Sequence, residues 1–146
     1  MATTNRDRIG KMFEILADAL DTFIRDTLRP EIGDKDWTEL VEAVDADKGI
    51  TGKVYDRTDP QVQLRMLTEN ITGRYKARWT PFRGVMTRTD EAYASLLREV
   101  RNDWAHNKPF DNDTALRALD QAQELLASIG QNYASGKVEE IRLDLR

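Results

Sequence analysis

The sequence contains no cysteine and only one histidine among its 146 residues. The absence of cysteine excludes disulfides and thiolate zinc sites, and it favours a cytoplasmic protein over a secreted one. A single histidine also argues against a histidine-based metal site, because zinc normally takes three or four protein ligands. We therefore expect no metal and no cofactor.

Long apolar runs are also missing from the sequence. No segment approaches the roughly 20 apolar residues that span a bilayer, and the N-terminal residues contain no apolar signal region. We therefore expect no membrane partner. The length is typical of one domain, which can bury roughly 70% of the surface that its unfolded chain exposes.

The chain as a whole is acidic, with a net charge of -4. This charge disfavours broad non-specific binding to nucleic acid, but it leaves room for a local basic site. Acidic residues are absent from residues 70–89, which contain cations and aromatic rings in alternation. The cations are Arg74, Lys76, Arg78, Arg83 and Arg88, and the rings between them are Tyr75, Trp79 and Phe82. This composition is typical of single-strand binders, so we predict that the five cations contact RNA. A solvated basic surface with core aromatics is the plainer alternative.

Five segments space their apolar residues three and four apart, as amphipathic helices do. They begin near residues 4, 36, 59, 89 and 111–113, and proline or glycine separates most of them. Residues 49–58 show no period and are expected to form a loop, which leaves room for a short hairpin at 50–55. The pattern predicts an all-α fold, an antiparallel bundle of about five helices. We expect Gly136 to end the last helix, which gives a domain over residues 1–136 and a tail or linker over 137–146.

The histidine lies in a short segment at the end of the fourth predicted helix. Its sequence from Leu97 is LREVRNDWAHNKPF, and Pro109 is expected to stop the helix. Arg101 offers a charged fork that matches a phosphate, and His106 can move a proton near neutral pH. Asn102 lies one helical turn before His106 and is expected to orient its imidazole.

Arg101 and His106 are five residues apart, which places them about 140° apart on a regular helix. They can act on one ligand only if the helix loosens near Ala105 or if a second copy brings its own pair alongside. On spacing alone the plainer reading is that His106 is a helix cap or a solvated side chain. Trp104 continues the apolar stripe and is expected to be core rather than a platform for bases.

The segment from Leu97 to Phe110 resembles the signature of the HEPN superfamily, and most closely its Swt-type branch. Arg101, Asn102 and His106 match the family motif of an arginine, a polar residue and a histidine. The resemblance extends from the first helix to about residue 130. It implies an all-α bundle that forms a homodimer through its motif helices, with two arginine–histidine sets in one cleft.

The resemblance leaves two functions open. Many members are metal-independent ribonucleases of toxin, antiphage and RNA-processing systems, which makes Arg101, Asn102 and His106 the expected catalytic residues here. Other members are inactive binding or dimerisation modules, and Swt-type domains often stand at the N-terminus of larger defence ATPases. RNA is the expected partner, an antitoxin or a larger defence complex is a further one, and binding of a nucleotide phosphate is a third, weaker hypothesis.

Overall fold

A computed structural model describes residues 3–145 of the chain. Within this range the chain forms seven α-helices and no strand. They are α1 (Asn5–Ile32), α2 (Thr38–Asp47), α3 (Pro60–Thr68), α4 (Ile71–Tyr75), α5 (Arg88–Ala105), α6 (Asn112–Ser128) and α7 (Asn132–Leu145). The prediction of an all-α fold is therefore confirmed, although the helices are more numerous than the apolar pattern predicted, because the chain breaks near residues 69 and 130.

The long first helix is the centre of the bundle. Thr4 caps it, since its hydroxyl accepts from the backbone N–H of Asp7 while the Asp7 carboxylate accepts from that of Thr4. The helix continues through Pro30 and ends at Gly33, whose φ of 63° is accessible to glycine at little cost. Its apolar stripe is buried against α3, α6 and α7. This arrangement leaves α5 at the edge of the bundle, packed mainly on α3 and α6.

A buried ion pair fastens α2 to α3. Asp45 is almost fully buried, and its Oδ1 accepts from Nη2 of Arg65 at 2.6 Å. The hydrogen bonds from Arg65 lower the pKa of Asp45 to about 2, and the hydroxyl of Tyr55 also donates to this carboxylate. Tyr55 belongs to the segment between α2 and α3, so the network holds that segment against the bundle. The segment contains no hairpin.

The third predicted helix is divided into α3 and α4. Its apolar stripe was expected to continue to Tyr75, but Glu69 adopts an extended conformation and ends α3. The Glu69 carboxylate binds Arg65 at 2.5 Å and Arg98 of α5 at 3.6 Å. The contact with Arg98 joins residues that are distant in sequence, so helical periodicity does not reveal it.

The structure also corrects the expectation of a tail or linker over residues 137–146. The break lies at Gly130, where a φ of 83° reverses the chain, and α7 then passes through Gly136 without interruption. Val138 and Ile141 are buried, and α7 packs on α6 and α1. Residues up to 145 therefore belong to the bundle, and residue 146 lies outside the described range.

Within residues 3–145, no helix combines the length and the apolar character that crossing a bilayer requires.

Candidate active site

Helix α5 carries the three predicted catalytic residues and is anchored at its opposite end. Thr87 and Asp90 form a capping box at its N-terminus. The Asp90 carboxylate is buried and also accepts a hydrogen bond from the hydroxyl of Ser128 at 2.7 Å, which ties α5 to the end of α6. These contacts fix the N-terminal turn of α5, whose 18 residues end at Ala105, directly before His106.

The helix ends at the histidine. Ala105 is its last residue, and His106 is the C-cap, with its backbone N–H bonded to the carbonyl of Asn102 at 3.0 Å. Asn107 follows with a φ of 58°, a left-handed conformation that asparagine tolerates better than most residues. The chain therefore leaves the helix directly after the motif and before Pro109, as the sequence predicted.

Arg101 is largely buried on the inner side of α5. Its Nη2 lies 3.6 Å from Oδ1 of Asp59, the residue that caps α3, and its side chain is 19% exposed. Its guanidinium carbon lies 5.8 Å from the centroid of the Trp104 ring, within the range of a cation–π contact. The charge of Arg101 is thus held between a carboxylate and an indole ring.

Trp104 packs against the core and against the first turns of α1. Its Nε1 donates to the backbone carbonyl of Arg6 at 3.2 Å, and the guanidinium carbon of Arg6 lies 4.9 Å from the ring centroid. A Cβ at Gly10 would lie only 3.2 Å from the ring, so glycine allows this close approach. Trp104 therefore packs against the core, as its place in the apolar stripe predicted. Arg6 is a second cation on the same ring and was not predicted. Nothing in the sequence points to Arg6, since 98 residues separate the two.

Asn102 and His106 lie on the exposed face of α5. Neither side chain forms a hydrogen bond or an ion pair with another residue in the range 3–145. The expected contact between the Asn102 amide and the His106 imidazole is therefore not formed within one chain. Because Arg101 faces α3 while His106 faces solvent, one chain does not direct both side chains at a single ligand.

The predicted RNA-binding residues lie at the other end of the bundle. Arg88 begins α5, so thirteen residues, or about 20 Å of helix, separate it from Arg101. Phe82 packs against Phe23, at a centroid distance of 6.0 Å, in the second half of α1, whereas Trp104 contacts the beginning of that helix. The cations of residues 74–88 and the motif therefore do not share one cleft within a single chain.

The members of this basic stretch have different surroundings. Lys76 forms an ion pair with Glu31 at 2.7 Å. The four arginines are exposed and have no ion-pair partner in the described range; they are Arg74, Arg78, Arg83 and Arg88. Phe82 is buried and belongs to the core, which removes it from the candidates for stacking on bases. Trp79 is half-buried and lies 6.0 Å from the half-exposed Tyr75.

The described residues contain no group of three or more histidine, aspartate or glutamate side chains that could hold a metal ion. The end of α5 offers a guanidinium that can bind a phosphate and an imidazole that can transfer a proton.

Comparison with known families identifies the chain. The model of the Swt1-like HEPN family matches residues 11–130, which is most of the chain, so the chain belongs to this family. The match begins within α1, ends at Gly130 and includes the complete motif. No curated protein and no solved structure shows significant similarity to it.

Proposed function

We propose that this Swt1-like HEPN chain is an endoribonuclease that acts without a metal ion and as a homodimer. The observation that carries the proposal is the intact set of Arg101, Asn102 and His106 at the accessible end of α5 in a chain of this family. A role in antiphage defence or in a toxin system is part of the proposal, since the family resemblance implies it.

The proposed reaction is an internal transesterification of RNA. The 2′-hydroxyl attacks the adjacent phosphorus, the bond from phosphorus to the 5′-oxygen breaks, and a 2′,3′-cyclic phosphate and a 5′-hydroxyl result. His106 takes the proton of the 2′-hydroxyl or gives one to the leaving oxygen, and Arg101 neutralises the charge that develops on the phosphate. Two histidines facing one cleft provide for both proton transfers.

The exposed face of α5 supports the dimer. Asn102 and His106 lie on it without a side-chain partner in the described range. A second copy packed on this face would bring two histidines together. It would also place His106 of one copy near Arg101 of the other, which a single chain does not do.

A non-catalytic interaction module is the second candidate. The observation that favours it is the position of Arg101, which already pairs with Asp59 and stacks on Trp104. A guanidinium held in this way can serve the fold alone. In that case the α5 face would bind RNA or a protein partner, such as an antitoxin or the remainder of a defence complex.

Cleavage of labelled single-stranded RNA and tRNA in EDTA separates the two candidates. We expect His106→Ala to lower the rate by about 100-fold or more, the usual contribution of a general acid or base. Arg101→Ala should also lower it, whereas Arg117→Ala, at an exposed arginine of α6, should not. Unchanged cleavage by His106→Ala would overturn the proposed site. No cleavage by a wild-type protein that is folded and dimeric in sedimentation would favour the interaction module.

A further inference from the structure

A groove of about 410 Å³ lies at the N-terminal end of α5, away from the motif. Its walls are the end of α3, the beginning of α4, residues 80–83 and the first two turns of α5. Its volume falls in the range of small-molecule sites, which is roughly 300–1,000 Å³. The groove is therefore large enough to hold one nucleotide of an RNA strand.

The charge of the groove favours an anion. Arg83 and Arg88 line it, and neither has an ion-pair partner in the described range. Glu69 also lines it, but Arg65 and Arg98 already compensate this carboxylate. Glu91 is the opposing charge that remains. Two free guanidinium groups against one free carboxylate leave the groove positive and suited to a phosphate.

The remaining groups suit a nucleotide better than a simple anion. Hydroxyl and amide side chains that hydrogen-bond to bases or ribose line the groove; they are Asn70, Thr80 and Ser95. Trp79 directly precedes Thr80, and its ring lies 6.0 Å from that of the half-exposed Tyr75. Aromatic rings beside arginines are the usual components of surfaces that bind single strands.

The groove and the motif are joined by one exposed face of α5. Arg88 and Ser95 of the groove share that face with Asn102 and His106, because these positions are seven, seven and four residues apart. Arg88 and His106 are 18 residues apart, which corresponds to about 27 Å along the axis. A stacked strand advances about 3.4 Å per nucleotide, so roughly eight nucleotides bridge this distance, and fewer do so if the strand is extended.

We infer that the groove binds a nucleotide of single-stranded RNA, with its phosphate on Arg83 and Arg88, while the same strand follows the exposed face of α5 to Asn102 and position 106. The binding of RNA in the groove goes beyond the proposed function. The contact of the same strand with the motif rests on the proposed function. The inference sets a minimum length for a tightly bound substrate, between about four and eight nucleotides.

The test measures binding rather than cleavage, in His106→Ala protein, so that it holds whether or not the chain is an enzyme. Fluorescence anisotropy gives the affinity for labelled oligouridylates of 4, 8 and 12 nucleotides, and competition gives that for uridine monophosphate. We expect the 12-mer to bind at least about tenfold more tightly than the 4-mer, because two linked contacts act together. Arg83→Gln/Arg88→Gln should abolish this gain and lower the slope of log affinity against log salt by about 1.4.

Three further variants make the result specific. Lys53→Gln/Arg117→Gln removes two exposed cations outside the groove and should leave the gain intact. Arg83→Lys/Arg88→Lys keeps the charge and should retain most of the salt slope. Asn102→Ala should abolish the gain with length, because in the His106→Ala protein it removes the remaining contact of the strand at the motif.

Four results would overturn the inference. An equal loss in Lys53→Gln/Arg117→Gln would indicate general charge attraction, and a length gain that survives Asn102→Ala would mean that the strand does not reach the motif. Monophosphate binding as tight as that of the 12-mer would indicate a site for free nucleotides. Equal affinity for hexaglutamate would indicate a site for acidic peptides.

Discussion

The ion pair between Arg101 and Asp59 predicts that removal of an acidic side chain strengthens RNA binding. Oδ1 of Asp59 lies 3.6 Å from Nη2 of Arg101 and also accepts from the backbone N–H of Gln61 at 2.9 Å. A phosphate that binds Arg101 must share the guanidinium with this carboxylate and is repelled by its charge. Asp59→Asn removes the charge and keeps a good N-cap for α3, since asparagine and aspartate cap helices about equally well.

The size of the effect follows from the exposure of the pair. At this distance two unit charges attract by about 1 kcal/mol in water and by about 4–5 kcal/mol at an effective dielectric constant of 20. Measured exposed pairs contribute about 0–1 kcal/mol, and here the side chains are 19% and 39% exposed. We take the upper half of that range, which corresponds to an increase in RNA affinity of about twofold to fivefold.

The assay is anisotropy with a labelled oligouridylate in His106→Ala protein, with and without Asp59→Asn. Asp56→Asn is the matched control, because it removes one charge from the same loop at a residue that contacts no arginine. Affinity should rise for Asp59→Asn, and the free energy of unfolding should change by less than about 0.5 kcal/mol. A fall in affinity with unchanged stability would refute the reasoning, because it would mean that Asp59 positions Arg101 for the ligand.

Other predictions concern the fold that holds the site. Arg65→Met should lower the free energy of unfolding by about 3–5 kcal/mol in denaturant titrations, because it leaves Asp45 buried without a partner; a loss below 1 kcal/mol would contradict this. The pKa of Asp45 is about 2 in the folded protein, against an ordinary value of 3.8. The ionised carboxylate therefore adds about 2 kcal/mol to the free energy of unfolding above pH 4, and this stability is lost as the pH falls through 2. Asp45→Asn should remove this loss of stability at low pH, and an unchanged decrease in the free energy of unfolding between pH 4 and pH 2 would argue against it. Gly136→Ala should raise the free energy of unfolding by up to about 1 kcal/mol inside α7, whereas Gly130→Ala should lower it by about 1–2 kcal/mol at a φ of 83°; a rise for both would exclude the turn between α6 and α7.

Much of the fold follows from local features of the sequence. The apolar stripe of α1, the cap at Thr4 and the start of α3 at Asp59 and Pro60 are visible without tertiary information. The end of α5 was also predictable, since Pro109 cannot continue a helix. These features depend on residues within one or two turns of each other.

The helix boundaries that were predicted wrongly depend on contacts between helices. Gly136 was chosen as the end of the last helix because glycine often follows a C-terminus, but Gly130 and Gly136 both fit that rule. The choice between them depends on the packing of Val138 and Ile141 against the bundle. The break at Glu69 likewise lies at a residue whose carboxylate contacts Arg98 of another helix.

The candidate site could be predicted in part. Arg101, Asn102 and His106 were found because they are close in sequence and resemble a family motif. The contact of Arg101 with Trp104 joins residues three apart on α5 and is visible in the sequence. The contact of Arg101 with Asp59 and the presence of Arg6 on the same ring join α5 to α3 and α1 and leave no local signal. The distance between Arg88 and the motif follows from the predicted fourth helix, which begins near residue 89 and ends at the motif.

The chemical identity of the product ends tests the central claim most directly. Wild-type protein and the His106→Ala variant would each be incubated with a single-stranded RNA in EDTA, and mass spectrometry would identify the new termini. The account predicts 2′,3′-cyclic phosphate and 5′-hydroxyl ends from the wild-type protein, and their absence or near absence from the variant. Ends with a 3′-hydroxyl and a 5′-phosphate, or cyclic phosphate ends formed equally well by His106→Ala, would contradict it.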